Sequence, residues 1–269
     1  VDGENIDATL GMSVLGRRPE PEERPRWDRV LSFCDDLSDA EEGSPLVLDG
    51  AEAHHAATVR RARAGERIDV VDGRGTRARC VVAEAGGARL ALDVRERVRE
   101  QAPRPRITLV QALAKAGRDL QGVETSTEYG ASRFVPWAAD RSIAAWKGKE
   151  DRGRARWEAT ALAAAKQSRR SWIPEVTPML GTDGVVALAV REGATLLVCH
   201  EEAREGLPDA RVENLWIVVG PEGGIADREL EAFREAGGRP VLLSSNVLRS
   251  ASAGPFAMAA LSGMRLVAG

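Results

Sequence analysis

The sequence predicts an α/β protein, with a C-terminal α/β domain on a mostly parallel sheet and a small β-rich domain ahead of it. Three observations predict this. Short apolar runs crowd between residues 30 and 94, separated by turn signals, with one helical stretch among them. From Ile107 onward apolar runs alternate with helical stretches, the rhythm of strands joined by crossover helices. Between the two lies Arg99–Pro105, with two prolines and the character of a linker.

The elements follow in order. Residues 1–26 are rich in charge, Gly and Pro with almost no apolar pattern, and read as the body of a flexible arm over 1–29. Val30–Cys34 and Leu46–Leu48 are short strands. Glu52 to Ala64 reads as a helix stopped by Gly65. Arg67–Val71 and Arg77–Ala83 flank the turn Asp72-Gly73-Arg74-Gly75, and Leu90–Val94 adds a strand. In the second half, Ile107–Gln111, Arg133–Trp137, Thr195–Cys199, Leu215–Val219 and Pro240–Leu243 are strands. Asp119–Tyr129, Asp151–Ser168, Asp227–Ala236 and Ser252–Val267 are helices. The expected division is an arm over 1–29, a β-rich domain over 30–98, a linker over 99–106 and an α/β domain over 107–269.

At 269 residues, and at roughly 150 residues per domain, the chain has room for two cores. No apolar run approaches the ~20 residues of a membrane span. The N-terminus shows no basic region followed by an apolar stretch, so no secretory signal is expected. Three widely spaced cysteines, Cys34, Cys80 and Cys199, show neither zinc spacing nor a disulfide framework. Together these favour a reducing cytoplasm and no metal.

The formal net charge of −3 hides an uneven distribution. Residues 1–50 hold five Arg against thirteen acidic residues. Residues 51–106 hold thirteen Arg against eight, and residues 141–172 hold nine Lys or Arg against three. Only four of the basic residues are Lys. Arginine forms planar, bidentate contacts to phosphate, although Arg-rich solvated faces give the same counts.

Three strand ends carry the chemistry: Leu197–Glu202, Val218–Ile225 and Leu243–Ala253. In open α/β sheets ligands bind outside the carboxyl ends of strands, and three such ends can line one pocket. Gly220-Pro221-Glu222-Gly223-Gly224 is neither a P-loop nor a dinucleotide fingerprint, which disfavours a nucleoside triphosphate or NAD.

In this order the motifs resemble the SPOUT methyltransferases, and within them the 16S ribosomal RNA uridine-N3 methyltransferase family, over about residues 46–267. The resemblance is carried by His55–Arg61, Ala64–Glu66, Asp72–Gly75, Gln111–Lys115, Thr127–Gly130, Pro136, Arg141-Ser142, Ala165–Arg170, Ile173-Pro174, Gly220–Gly224 and Val247–Arg249. It implies a PUA-like β-barrel that helps hold RNA, then a SPOUT-type α/β domain with a trefoil knot that binds S-adenosylmethionine. It also implies a homodimer acting on ribosomal RNA of the small subunit.

Carried over by motif, Leu197, His200 and Glu201 border the first cofactor loop. Gly220, Glu222, Gly224 and Ile225 form the second, and Leu243, Ser244, Asn246 and Leu248 enclose the adenine. Phosphate contacts are expected from Arg60, Arg61, Arg63, Lys115, Arg141, Lys166, Arg169 and Arg170. Arg249 is the candidate for the cation that stabilises a deprotonated uracil. Glu222 and Glu128 are candidate bases, subject to their position, and Trp137, Trp146, Trp157 and Trp172 are candidate base-stacking platforms or core residues.

The chain departs from the family pattern at Ser244, where Gly is usual, at Ser250-Ala251-Ser252, and at Lys115-Ala116-Gly117. A left-handed backbone at Ser244 would be strained. A different RNA position, such as a ribose 2′-hydroxyl, and a catalytically weak RNA-binding relative stay open as alternatives.

Overall fold

The structure is a computed structural model, and it describes residues 30–54, 56, 62–86, 89–208 and 212–267. The expected arm, and Arg60 and Arg61, lie outside the described residues. The chain divides into two compact units. Of the described residues, those from 30 to 101 with Arg169–Ser171 form one, and those from 102 to 168 and from 172 to 267 form the other.

The first unit is a five-stranded sheet in the order β1-β3-β4-β5-β2. Its strands are β1 (Val30–Phe33), β2 (Pro45–Asp49), β3 (Arg67–Val71), β4 (Thr76–Gly86) and β5 (Arg89–Arg99). β1 pairs parallel with β3, and the other pairs are antiparallel. β4 and β5 alternate buried and half-buried residues where they cover the core, the pattern of a sheet with one face on the core. Two register shifts, at Arg79/Cys80 and Val82/Glu84, curl this long pair. Ile68, Val70, Val82, Leu90, Leu92 and Val94 fill the core beneath. The helix expected over 52–64 is seen as α1 (Gly50–His54).

The second unit is a six-stranded parallel sheet in the order β11-β9-β10-β6-β7-β8. Its strands are β6 (Arg106–Ala112), β7 (Arg133–Trp137), β8 (Glu175–Val176), β9 (Thr195–Cys199), β10 (Asn214–Val219) and β11 (Arg239–Val241). Covered on both faces, β6, β7 and β10 are nearly continuous apolar runs. On one face lie α2 (Arg118–Glu128), α3 (Glu150–Gln167) and α6 (Ser250–Val267), packed through Val123, Trp157, Ala161, Ala257 and Met258. On the other lie α4 (Thr182–Arg191) and α5 (Asp227–Glu235), packed through Val185, Ala189, Leu230 and Phe233.

The chain runs outward from β6 through β7 to β8, then returns to the far side of β6 as β9 and β10. The winding therefore reverses between β6 and β10, and their carboxyl ends open on one crevice.

Several expectations are corrected. α4 and β8 fall where no element was expected. β11 stops at Val241 because the Leu242 N–H bonds the Glu205 carbonyl (2.7 Å) instead of continuing the ladder. Trp137 and Trp157 are core residues, 0% and 1% exposed, and Trp146 packs edge-on against Trp157 with centroids 5.8 Å apart. For these three the expected core packing, rather than base stacking, is what the structure shows. Ser244 is not left-handed; among the described non-glycine residues only Ala116 (φ 55°) and Arg169 (φ 60°) are.

Candidate functional site

A cavity of about 410 Å³ lies at the carboxyl ends of β6, β9, β10 and β11. Each strand lends the segment just beyond its end: Arg118 after β6, His200 and Glu201 after β9, Gly220–Ile225 after β10, and Leu242–Arg249 after β11. Ten of the eleven expected cofactor residues line it: His200, Glu201, Gly220, Glu222, Gly224, Ile225, Leu243, Ser244, Asn246 and Leu248. Leu197 does not. It is 1% exposed in the core, and Cys199, two residues on, takes the wall position. The two side chains share one face of β9, but Leu197 is mid-strand and covered, whereas Cys199 ends the strand and reaches the cavity.

The Gly-Pro-Glu-Gly-Gly loop is held from three sides. Gly224 turns it with φ 75°, a conformation that favours glycine. Gly223 lies so close to Arg141 that a Cβ would stand 3.1 Å from that residue's Cβ and carbonyl oxygen. Arg141, expected to face phosphate, donates through Nη1 to the Ile225 carbonyl (3.3 Å) and so ties down the loop.

Where the loop enters α5, Glu229 is fully buried. Its carboxylate accepts from the Ala226 N–H (3.0 Å), the Asp140 N–H (2.9 Å) and the Thr182 hydroxyl (2.8 Å). Thr182 in turn accepts the Trp137 indole N–H (3.1 Å). One buried carboxylate thus fixes both the exit of the glycine loop and the start of the segment bearing Arg141.

The walls are apolar through Val219, Ile225, Leu242, Leu243, Leu248 and Ala253, and the rim is polar. His200 Nδ1 accepts the Glu202 N–H (3.2 Å), a turn-making bond that gives the imidazole a structural task. The Ser244 hydroxyl accepts the Asn246 N–H (3.1 Å) and closes the third loop. Burial pushes the Cys199 thiol up to about 12, so this wall group stays neutral.

Arg249 lines the cavity and is exposed. Arg118, which no motif reading singled out, lines it too and pairs with Glu222 at 3.4 Å. Its signal was the basic residue directly after a glycine turn at a strand end. Glu128 is exposed near the far end of α2 and does not line the cavity.

Of the expected phosphate contacts, Arg63 and Lys115 are exposed, and Lys166 is half-buried. Arg169 and Arg170 are half-buried in the first unit. Burial pushes the Arg170 guanidinium down to about 10. The Arg169 carbonyl and the Ser171 hydroxyl both accept from Arg77 Nη2, at 2.9 and 2.8 Å. Arg77 itself was missed, being one charged residue in an Arg-rich strand.

Among the described residues no cluster of His, Cys, Asp and Glu fits a metal ion, and no helix is long and apolar enough to cross a membrane.

A parallel sheet with a crevice at its winding reversal, in a chain that also carries a curled β domain, defines a two-domain α/β protein with a small-molecule cavity. Residues 100–262 match the model of an RNA methyltransferase domain, and residues 48–94 that of an RNA methyltransferase PUA domain. The chain belongs to this RNA methyltransferase family.

It is 44% identical over 239 residues to the ribosomal RNA small subunit methyltransferase E of Mycobacterium bovis, covering 86% of this chain and 90% of that one. It is 27% identical to the protein of the same name from Bacillus subtilis, over 82% of this chain and 91% of that one. In fold it resembles the crystal structure of a ribosomal RNA small subunit methyltransferase E from Neisseria gonorrhoeae bound to S-adenosyl methionine. That likeness has a TM-score of 0.78 at 24% identity and covers 89% of this chain and 98% of that one.

Proposed function

We propose that this protein methylates ribosomal RNA of the small subunit with S-adenosylmethionine, at N3 of one uridine. The observation that carries this reading is the convergence of three cofactor-type loops on one cavity beside an exposed arginine, Arg249. The cavity suits the cofactor. Its volume falls in the ~300–1,000 Å³ range of small-molecule sites. Its leucine and isoleucine walls suit an adenine, and its polar rim suits an amino acid. When bound, S-adenosylmethionine supplies an electrophilic methyl group on a sulfonium.

The residues then divide the work. Leu243, Leu248 and Ile225 enclose the adenine, while Gly220 and Gly224 allow the backbone to approach it. Uracil N3 is a poor nucleophile until its proton leaves, so a cation beside the ring favours the anion. Arg249 supplies that cation. Glu222, paired with Arg118, holds the loop and is poorly placed to serve as a base. Positioning of the base against the methyl group supplies much of the rate.

The β domain, with Arg60, Arg61 and Arg63, and the segment holding Lys166, Arg169 and Arg170 engage RNA phosphates. The protein acts in the cytoplasm as a homodimer, and residues 197–249 form the knotted cofactor loops.

Mass spectrometry of ribosomal RNA from a deletion strain tests this reading. One 3-methyluridine should vanish from the small-subunit RNA, return with the wild-type protein, and stay absent with Arg249→Ala. An unchanged modification profile rejects the assigned substrate.

A further inference from the structure

α6 begins at Ser250 and runs for 18 residues. Arg249 precedes it and offers no side-chain acceptor to cap it. The Arg249 carbonyl takes the N–H groups of Ser252 (2.8 Å) and Ala253 (3.1 Å). The N–H groups of Ser250 and Ala251 come before the first intrahelical bond, at the end of the helix that favours negative charge. Both residues are buried, at 7% and 5% exposure. Ser250 lines the cavity, and its buried Oγ has no hydrogen-bond partner. A buried hydroxyl left in this way calls for a ligand atom.

α2 brings charge to the same place. Arg118 and Gly122 lie one helical turn apart on one face. A Cβ on Gly122 would stand 3.7 Å from the Ala251 Cα and carbonyl oxygen, so that face runs directly against the first turn of α6. Arg118 spends one nitrogen on Glu222, and a guanidinium carries five N–H donors.

We propose that the first turn of α6, with the Ser250 hydroxyl and the Arg118 guanidinium, is a subsite for an oxyanion. The group it takes is a phosphate of the RNA strand or the carboxylate of the cofactor. Naming these two sources rests on the methyltransferase reading, whereas the anion site stands on its own geometry.

Inorganic sulfate is the first probe. Added to ¹⁵N-labelled protein, it should shift the Ser250 and Ala251 amide resonances saturably. The effect should disappear in Ser250→Asp, whose carboxylate sits at a helix start that favours it and fills the subsite. A thermal melt of Ser250→Asp confirms that the variant is folded. Shifts that do not saturate, or that persist in Ser250→Asp, overturn the proposal.

Binding of a short single-stranded RNA and of S-adenosylmethionine then separates the sources. If the group is a phosphate, Ser250→Asp and Arg118→Gln weaken RNA at least tenfold and flatten its salt dependence, and weaken S-adenosylmethionine no more than its decarboxylated analogue. If it is the carboxylate, both variants weaken S-adenosylmethionine but not its decarboxylated analogue. Unchanged affinity for both ligands overturns the subsite. Saturable sulfate binding by a wild-type protein that binds neither ligand supports the anion site and instead sinks the methyltransferase reading.

Discussion

Arg77 and Arg118 are the same side chain put to opposite uses by burial. Arg77 in the first unit is 1% exposed. It spends Nε on Glu100 (2.7 Å), Nη1 on Asp69 (3.0 Å), and Nη2 on the Arg169 carbonyl and Ser171 hydroxyl. It pins a distant segment of chain and commits four of its five N–H donors to the fold. Arg118, in the second unit, has a side chain 39% exposed and one partner 3.4 Å away. A buried cation is kept where its charge is paired and its donors are mostly answered, while one at a cavity rim is held loosely enough to bind something else.

The largest test of this contrast is Arg77→Met. Removing one partner of a buried ion pair typically costs about 3–5 kcal/mol, because the other charge is stranded. Urea denaturation should show an unfolding free energy lower by that amount. Arg118→Gln removes an exposed pair and should cost under about 1 kcal/mol. Equal costs for the two variants would erase the distinction.

Comparable in size is Glu229→Ala, which carries the contrast into the second unit. Glu229 is as buried as Arg77, but it serves the cavity by fixing the glycine loop. Its loss strands the Ala226 and Asp140 N–H groups and the Thr182 hydroxyl, at about 1–3 kcal/mol for each group left unsatisfied. Cofactor affinity should fall with stability. A variant that loses stability yet binds S-adenosylmethionine as tightly as wild type would show that the loop is positioned by something else.

These cases also mark what was legible in the sequence. The parallel sheet was legible because β6 and β10 are nearly continuous apolar runs, and the cavity because three motif-bearing segments, one of them Gly220–Gly224, follow strand ends. α4 was not, since Val185, Val186, Leu188 and Val190 read equally as strand or helix. Leu197 was misplaced by two residues because a motif marks a loop, not the point where a strand emerges from the core. Glu229, Arg77 and Arg118 were missed for one reason. A charged residue looks the same in sequence whether it is solvated, buried or aimed at a ligand, and only the fold decides.

The third test uses pH. Cys80, 2% exposed, is pushed up to about 12 from 9.0 by burial and then by the charges of Asp69 and Asp93. The folded thiol stays protonated to about pH 12, while the unfolded thiol ionises above pH 9.0. The unfolded state therefore binds fewer protons in that window, and stability falls as pH rises through it, by at most about 1.4 kcal/mol per pH unit. Cys80→Ala should flatten that slope while lowering stability at neutral pH. An unchanged alkaline slope would mean the thiol does not ionise on unfolding, and would remove it from this account.

The smallest test concerns strain at the mouth of the cavity and turns on a sign. Ala116, in the turn that delivers Arg118, is left-handed (φ 55°, ψ 31°), next to Gly117 at φ 72°. An L-residue pays roughly 1–2 kcal/mol for that conformation. Glycine would not, though it loses about 0.5–1 kcal/mol more backbone entropy on folding. Ala116→Gly should therefore raise stability by a net half kilocalorie or so, about 1–2 °C in Tm for a unit of this size. Ser244 stands where the family usually has glycine, but its backbone is not left-handed and its hydroxyl closes the loop. Ser244→Gly should lower Tm by losing both that bond and backbone restraint. If the two substitutions move Tm in the same direction, the strain is not at Ala116. If they move it in opposite directions, the turn at Ala116 stores strain to present Arg118, while the third cofactor loop is shaped by a side-chain hydrogen bond.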